Sequence, residues 1–280
     1  MEYLYDGSFD GLLTCIYHHY YLEAATGIYQ RESYQPTLLF SSMTVETDPA
    51  LATRVYRAIE EKISSNALET VYRVYLSSSP QKENLILGYL RLGFRMGAKV
   101  DLFHSHPDVY PVHTLERKVT GEAHRLLGLV RFADTGSFLY AVISPDHHVL
   151  PLMADHFVDR LAGERWIIND KKRKLAIIYH GIDHGNYESP IQSKWFMTDF
   201  PYNLDGTLTE EEQYWQGLWQ TYFQKISIAS RYNPRLQSRC VPYRYRKHLV
   251  EFQALPPKLG DGEKARVTGP PLEMTIQPIL

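Results

Sequence analysis

An α+β fold, an antiparallel sheet with hairpins packed by several helices plus a C-terminal helical region, is what this sequence predicts. Three observations carry that expectation. Apolar residues recur at helical spacing as far as Leu126. Two hairpin signals then follow, around Asp134-Thr135-Gly136 and around Asp170-Lys171-Lys172-Arg173, with a helical stretch between them. Helical spacing returns after a segment rich in Gly, Asn, Ser and Pro. Helices preceding hairpins, rather than alternating with single strands, favour a segregated α+β layout over a doubly wound one.

The elements follow in order. Tyr3 to Tyr5 alternates as a short strand, and Asp6-Gly7-Ser8 supplies a turn and a cap for a helix carrying Leu12, Leu13, Ile16 and Tyr20. Asp48-Pro49 and Ser79-Pro80 each set a capping side chain before a proline, which suits the first helical position because its missing N–H would be unpaired there anyway. The first of these helices carries Leu51, Val55, Ile59 and Ile63. The second, Leu85 to Met96, is apolar nearly all round and is expected to be central. A shorter helical pattern, Leu68 to Leu76, lies between them. From Pro107 the stripe Val112, Leu115, Val119, Ala123, Leu126 predicts an amphipathic helix with Lys118, Glu122 and Arg125 along its border, where an ion pair is expected. Leu129 to Phe132 and Phe138 to Ile143 read as strands, Met153, Phe157 and Leu161 as a helix, and Trp166 to Ile168 with Leu175 to Tyr179 as a second hairpin. The capping box Thr209-Glu210-Glu211-Glu212 opens a helix through Tyr214, Leu218 and Tyr222, which Asn233-Pro234 breaks. Pro242 begins a further short helix ending around Phe252. The expected organisation is a core domain over 1–187, a basic helical region over 188–252 and an extended tail over 253–280.

Composition bounds the function. A chain of 280 residues, 44% hydrophobic and with a formal net charge of −2, excludes neither acidic nor basic partners, so the placement of charge must decide. Two scattered cysteines, Cys15 and Cys240, form neither a disulfide framework nor a zinc quartet and suggest a reducing cytosol, with Cys15 in a core helix. No basic leader precedes an apolar segment and no apolar run is long enough to cross a bilayer, so a cytoplasmic location without membrane contact is expected. Neither a dinucleotide fingerprint, a P-loop nor a cysteine cluster is present, and no cofactor is expected of this chain.

Two regions concentrate chemistry. Between Gln213 and Val250 there is no acidic residue, while Lys225, Arg231, Arg235, Arg239, Arg244, Arg246 and Lys247 are interleaved with Trp219, Tyr222, Tyr232, Tyr243 and Tyr245. Cations that neutralise phosphates and rings on which bases stack are what nucleic-acid binding requires; a solvated helix face balanced by acids from elsewhere is the plain alternative. Lys171, Lys172 and Arg173 form a second basic cluster at a hairpin tip, and Arg125 and Arg131 lie nearby in sequence. The second region holds Glu122, His124, Asp146, His147, His148 and His156, residues suited to proton transfer or metal ligation, or to a hydrogen-bonded loop. Glu122, His124, Asp146 and His147 are the candidate catalytic set. His104-Ser105-His106-Pro107 resembles the zinc-binding core of JAMM-type isopeptidases, but Leu115 and Lys118 stand where that pattern needs a serine and an aspartate, so one metal ligand is absent and no metal site is assigned.

The runs Lys118-Val119, Glu122-Ala123-His124-Arg125, Val130-Arg131-Phe132, Pro145-Asp146-His147, Leu150-Pro151-Leu152, Trp166 through Asp170, Asn233-Pro234 and Arg244-Tyr245, with the opening Tyr5 through Gly11, resemble a bacterial family of unknown function termed putative DNA metabolism or DNA repair proteins. The resemblance covers nearly the whole chain. It implies a partner system, because relatives are encoded beside a radical-SAM protein and similar domains are fused to uracil-DNA-glycosylase-like modules. The expectation is a DNA-binding protein of repair or modified-base metabolism, acting with a radical-SAM partner. A metal-dependent hydrolase of nucleic acid and a protein-docking adaptor are the alternatives.

Overall fold

A computed structural model of the protein describes residues 1–36, 40–181, 195–201 and 208–253. The expected boundary at 187/188 and most of the expected tail lie outside the described residues.

The N-terminal half begins with β1 (Glu2–Tyr5) and α1 (Phe9–Tyr21), whose first turn is capped by Ser8, its hydroxyl accepting from the Gly11 N–H. Next come β2 (Gly27–Gln30) and β3 (Ser42–Thr44), and both pair with β1 in parallel, giving a three-stranded sheet in the order β2-β1-β3. All four residues of β1 are buried because it is the central strand, so no alternating face exists to be read from it. The helices α2 (Pro49–Lys62), α3 (Ser65–Tyr75) and α4 (Lys82–Met96) follow. Asp48 and Ser64 cap α2 and α3 as their side chains permit. At α4 the expected cap shifts by two residues: Ser79 and Pro80 lie in the preceding turn, and the helix starts at Lys82.

The long helix α5 (Tyr110–Leu129) joins two apolar cores. Val112 and Leu115 pack into the first, with Tyr3, Tyr5, Leu12, Ile59 and Leu90; Val119, Ala123 and Leu126 pack into the second. That second core is built on a five-stranded sheet of β4 (Phe132–Asp134), β5 (Leu139–Ile143), β6 (Trp166–Asp170), β7 (Leu175–Tyr179) and β8 (Trp195–Asp199), ordered as numbered. Helix α6 (Leu150–Arg160) connects β5 to β6.

The expected antiparallel sheet is therefore only partly matched. Both hairpins form, but β5 and β6 run parallel because α6 carries the chain back across the sheet, and the first sheet is wholly parallel. The C-terminal region holds α7 (Glu210–Lys225), α8 (Pro234–Cys240) and α9 (Tyr243–Arg246). Asn233 does not merely break a helix: its side chain accepts from the Leu236 N–H and starts α8, with Pro234 at the first position.

Candidate functional site

Glu122 sits on the inner border of α5, only 2% exposed. Its carboxylate meets the loop between β5 and α6 head-on: Oε1 accepts from the Asp146 N–H at 2.9 Å and Oε2 from the His147 N–H at 2.7 Å. A third donor is the Tyr245 hydroxyl, 2.5 Å from Oε1. The ion pair expected with Lys118 or Arg125 does not form among the described residues. Two backbone N–H groups and a phenol take the carboxylate instead, because they satisfy it inside the protein while the two cations stay in water. Tyr245 is the residue through which α9 docks onto the second core. Burial, reinforced by the neighbouring Glu122 carboxylate, pushes its phenol up to about 12, so it remains a hydrogen-bond donor at neutral pH.

Around this clamp lies a small cavity of about 180 Å³ lined by Lys118, Glu122, Arg125, Asp146, His147 and Arg244. The Arg244 guanidinium lies over the Tyr245 ring, 4.7 Å from its centroid, and its Nε is 3.2 Å from Asp146 Oδ2. Lys172 Nζ stands 3.7 Å from the other Asp146 oxygen. The site thus brings Lys118, Arg125, Lys172 and Arg244 to one partly exposed place around two carboxylates, one of them buried.

His147 is half-buried, and its Nδ1 accepts from the Ser78 N–H at 3.2 Å. Burial holds the imidazole below its usual range and keeps it neutral. His148 goes further. Burial first, then the charges of Arg173 and Lys82, lower it to about 4, and its buried Nδ1 has no hydrogen-bond partner among the described residues. His124 is exposed on α5, two residues and more than half a helical turn from Glu122, and it does not line the cavity. His156 is likewise exposed on α6, beside Phe157. Of the six candidate imidazoles and carboxylates of this stretch, Glu122, Asp146 and His147 line one cavity, whereas His124, His148 and His156 do not. Among the described residues no three His, Cys, Asp or Glu side chains gather in a way that can hold a metal ion. His104 of the isopeptidase-like tetrapeptide lies beside His113, 5.9 Å between centroids with the rings tilted by 53°, and His106 Nδ1 accepts from the Asp108 N–H.

The basic residues divide into two groups. Arg173 is turned inward from the hairpin tip: it donates to the carbonyls of Pro145 and Asp146 and pairs with buried Asp170 at 2.8 Å, fixing the loop that Glu122 clamps from the other side. Arg131 is bound to Glu251 at 2.8 Å and to the Gly128 and Val130 carbonyls. Arg246 is enclosed by the Tyr243 and Phe252 rings and donates to the Val241 carbonyl. These three and buried Tyr245, all expected at a phosphate contact, have partners within the protein. Lys225, Arg231, Arg235, Arg239 and Lys247 are exposed, and among the described residues none of them pairs with a carboxylate. Lys171 makes an interaction of its own within the protein.

Sequence reasoning passed over Ser78, Lys82 and Arg173 as structural partners of the histidine loop. Only the serine run before α4 hinted at the first.

A profile for a domain of unknown function matches residues 80–251, which is more than half of the chain. The chain belongs to the DUF4130 family. Every residue of the Glu122 cavity lies within the DUF4130 stretch, whereas the parallel sheet and α1 to α3 precede it. No curated protein and no solved structure matches the chain.

Proposed function

We propose that this DUF4130 protein binds DNA in bacterial DNA repair or modified-base metabolism, together with a radical-SAM partner. The observation that carries the DNA reading is the surface of α7 to α9. Five cations without carboxylate partners among the described residues share it with the exposed rings of Trp215, Trp219, Tyr222, Tyr232 and Tyr243. Cations track phosphates and rings stack unpaired bases, which suits single-stranded or distorted DNA better than an intact duplex. Arg244 joins that surface to the Glu122 cavity, so a strand on α8 and α9 leads toward the histidine loop. The radical-SAM partnership is supported by the sequence resemblance alone. Cytoplasmic placement is part of the same proposal; no helix among the described residues is long and apolar enough to cross a membrane.

Titrating the protein against labelled single-stranded and duplex oligonucleotides tests the reading. Tighter binding of the single strand, weakened by Arg244→Ala, is expected. Equal indifference to both at low salt contradicts it. A protein-docking role is favoured by one further feature, the exposure of Tyr214, Trp215, Leu218, Trp219 and Tyr222 along a single helix. Competition between DNA and a partner protein for α7 separates the two readings.

A further inference from the structure

A larger cavity of about 540 Å³ lies between β1, β2 and the start of α4. Ser78, which lines it, bonds the ring of His147, which lines the Glu122 cavity. Two carboxylates in its wall are almost wholly buried: Glu2, 5% exposed, and Glu83, 4% exposed. Neither has a cationic partner within salt-bridge distance among the described residues. Glu2 Oε2 accepts from the Tyr34 hydroxyl. Glu83 Oε1 accepts from the Tyr5 hydroxyl at 2.9 Å and from Gln30 Nε2 at 3.2 Å, while Oε2 has no partner among the described residues. A carboxylate oxygen without a hydrogen bond leaves an acceptor for a donor that enters the cavity.

Aromatic surface is supplied by Tyr29 and Tyr34, whose rings lie 5.6 Å apart and are tilted by 43° to each other. Gly27 makes the Tyr29 position possible: a Cβ there would come within 2.6 Å of the Tyr29 ring. On the remaining side stand the hydroxyls of Ser77, Ser78 and Ser79, groups that donate to phosphate oxygens.

We infer that this cavity binds a single nucleotide whose base carries an exocyclic amino group, with that amine donating to the free oxygen of Glu83. The ring lies against the tyrosines, and the phosphate faces the serine run. The inference rests on the DNA reading, of which it names the ligand: a base unstacked from a strand held on the neighbouring basic surface. Thymine, which has no exocyclic amine, is the discriminating control, because its carbonyl would face the carboxylate.

Calorimetric titration of the full chain with dCMP, dAMP, dGMP and dTMP is the test. At least one amino-bearing nucleotide is expected to bind about tenfold more tightly than dTMP. Glu83→Gln is expected to erase that preference, since an amide presents a donor as well as an acceptor. Should Glu83→Gln fail to fold, Tyr29→Ala, at a partly exposed ring, is expected to weaken all four nucleotides while its thermal melt stays cooperative. Four equal affinities, or no nucleotide binding while spermidine binds the same wall, overturn the inference. Failure of the DNA reading looks different. In that case oligonucleotides do not bind at low salt, whereas failure of the cavity alone leaves oligonucleotide binding intact, without base preference.

Discussion

Glu122 is the residue on which the histidine loop depends, and the consequence of altering it follows from its donors. Glu122→Gln replaces a charge-assisted acceptor of three hydrogen bonds by a neutral amide, one end of which must face a donor. We expect a loss of about 2–4 kcal/mol, read by urea unfolding. A change under about 0.5 kcal/mol, the range of an ordinary surface substitution, contradicts the clamp. His148 sets a pH dependence whose sign is fixed by its lowered pKa. Between about 4 and the unfolded value near 6.5, the unfolded chain binds a proton that the folded chain does not, so stability is full above 6.5 and falls as pH drops toward 4. The His148 share of that fall is about 3 kcal/mol. His148→Leu is expected to flatten the acid limb of a pH–melting curve by that amount; identical limbs for both proteins count against it. Sequence marked Glu122 as half-buried and ionisable but assigned it the wrong partners. The residues that bond it come from a loop twenty-four positions on and a helix 123 positions on, separations at which sequence spacing gives no guide.

At the scale of elements, legibility tracked locality. α2 and the β6–β7 hairpin are specified by a cap, periodicity and turn residues within a few positions of each other and stand where those signals put them, while α3 and α6 each begin three residues before the apolar pattern that marked them. β2 and β3 were not legible, because strands of four and three residues are too short to show a period and take their partner from a distant segment. The parallel β5–β6 pairing was hidden for the same reason: the crossover α6 was read as a separator of hairpins. α8 depends on Asn233, and Asn233→Ala is expected to cost it about 1 kcal/mol, seen as faster amide exchange at Leu236 and the residues after it. α7 is held by little: Gln220 donates to the Val250 carbonyl and Phe223 packs on Phe252. Its exposed rings are therefore available, and the double substitution Trp219→Ala with Tyr222→Ala is expected to weaken single-stranded DNA by about 1–3 kcal/mol for each stacked base lost. Unchanged affinity removes α7 from the interface.

For the whole molecule, α5 is the shaft that makes two cores one cooperative unit. Its N-terminal half packs with the parallel sheet and its C-terminal half with the mixed sheet. Arg117→Pro, on the exposed face between Leu115 and Val119, breaks the shaft at a cost of about 3 kcal/mol or more. Amide exchange is expected to accelerate in both β1 and β6; acceleration in one sheet alone shows two independent units. The same arrangement puts the cavity proposed for a nucleotide beside the first core and the basic surface beside the second, with Ser78 and His147 hydrogen-bonded between them. Whether that surface carries nucleic acid is tested most directly by the salt dependence of oligonucleotide binding, for the native protein and for the triple variant Arg235→Ala, Arg239→Ala, Lys247→Ala. A plot of log affinity against log salt is predicted to slope downward, and to flatten by about 0.7–0.9 for each cation removed that neutralises a phosphate. No binding at low salt, or one slope shared by both proteins, contradicts the account.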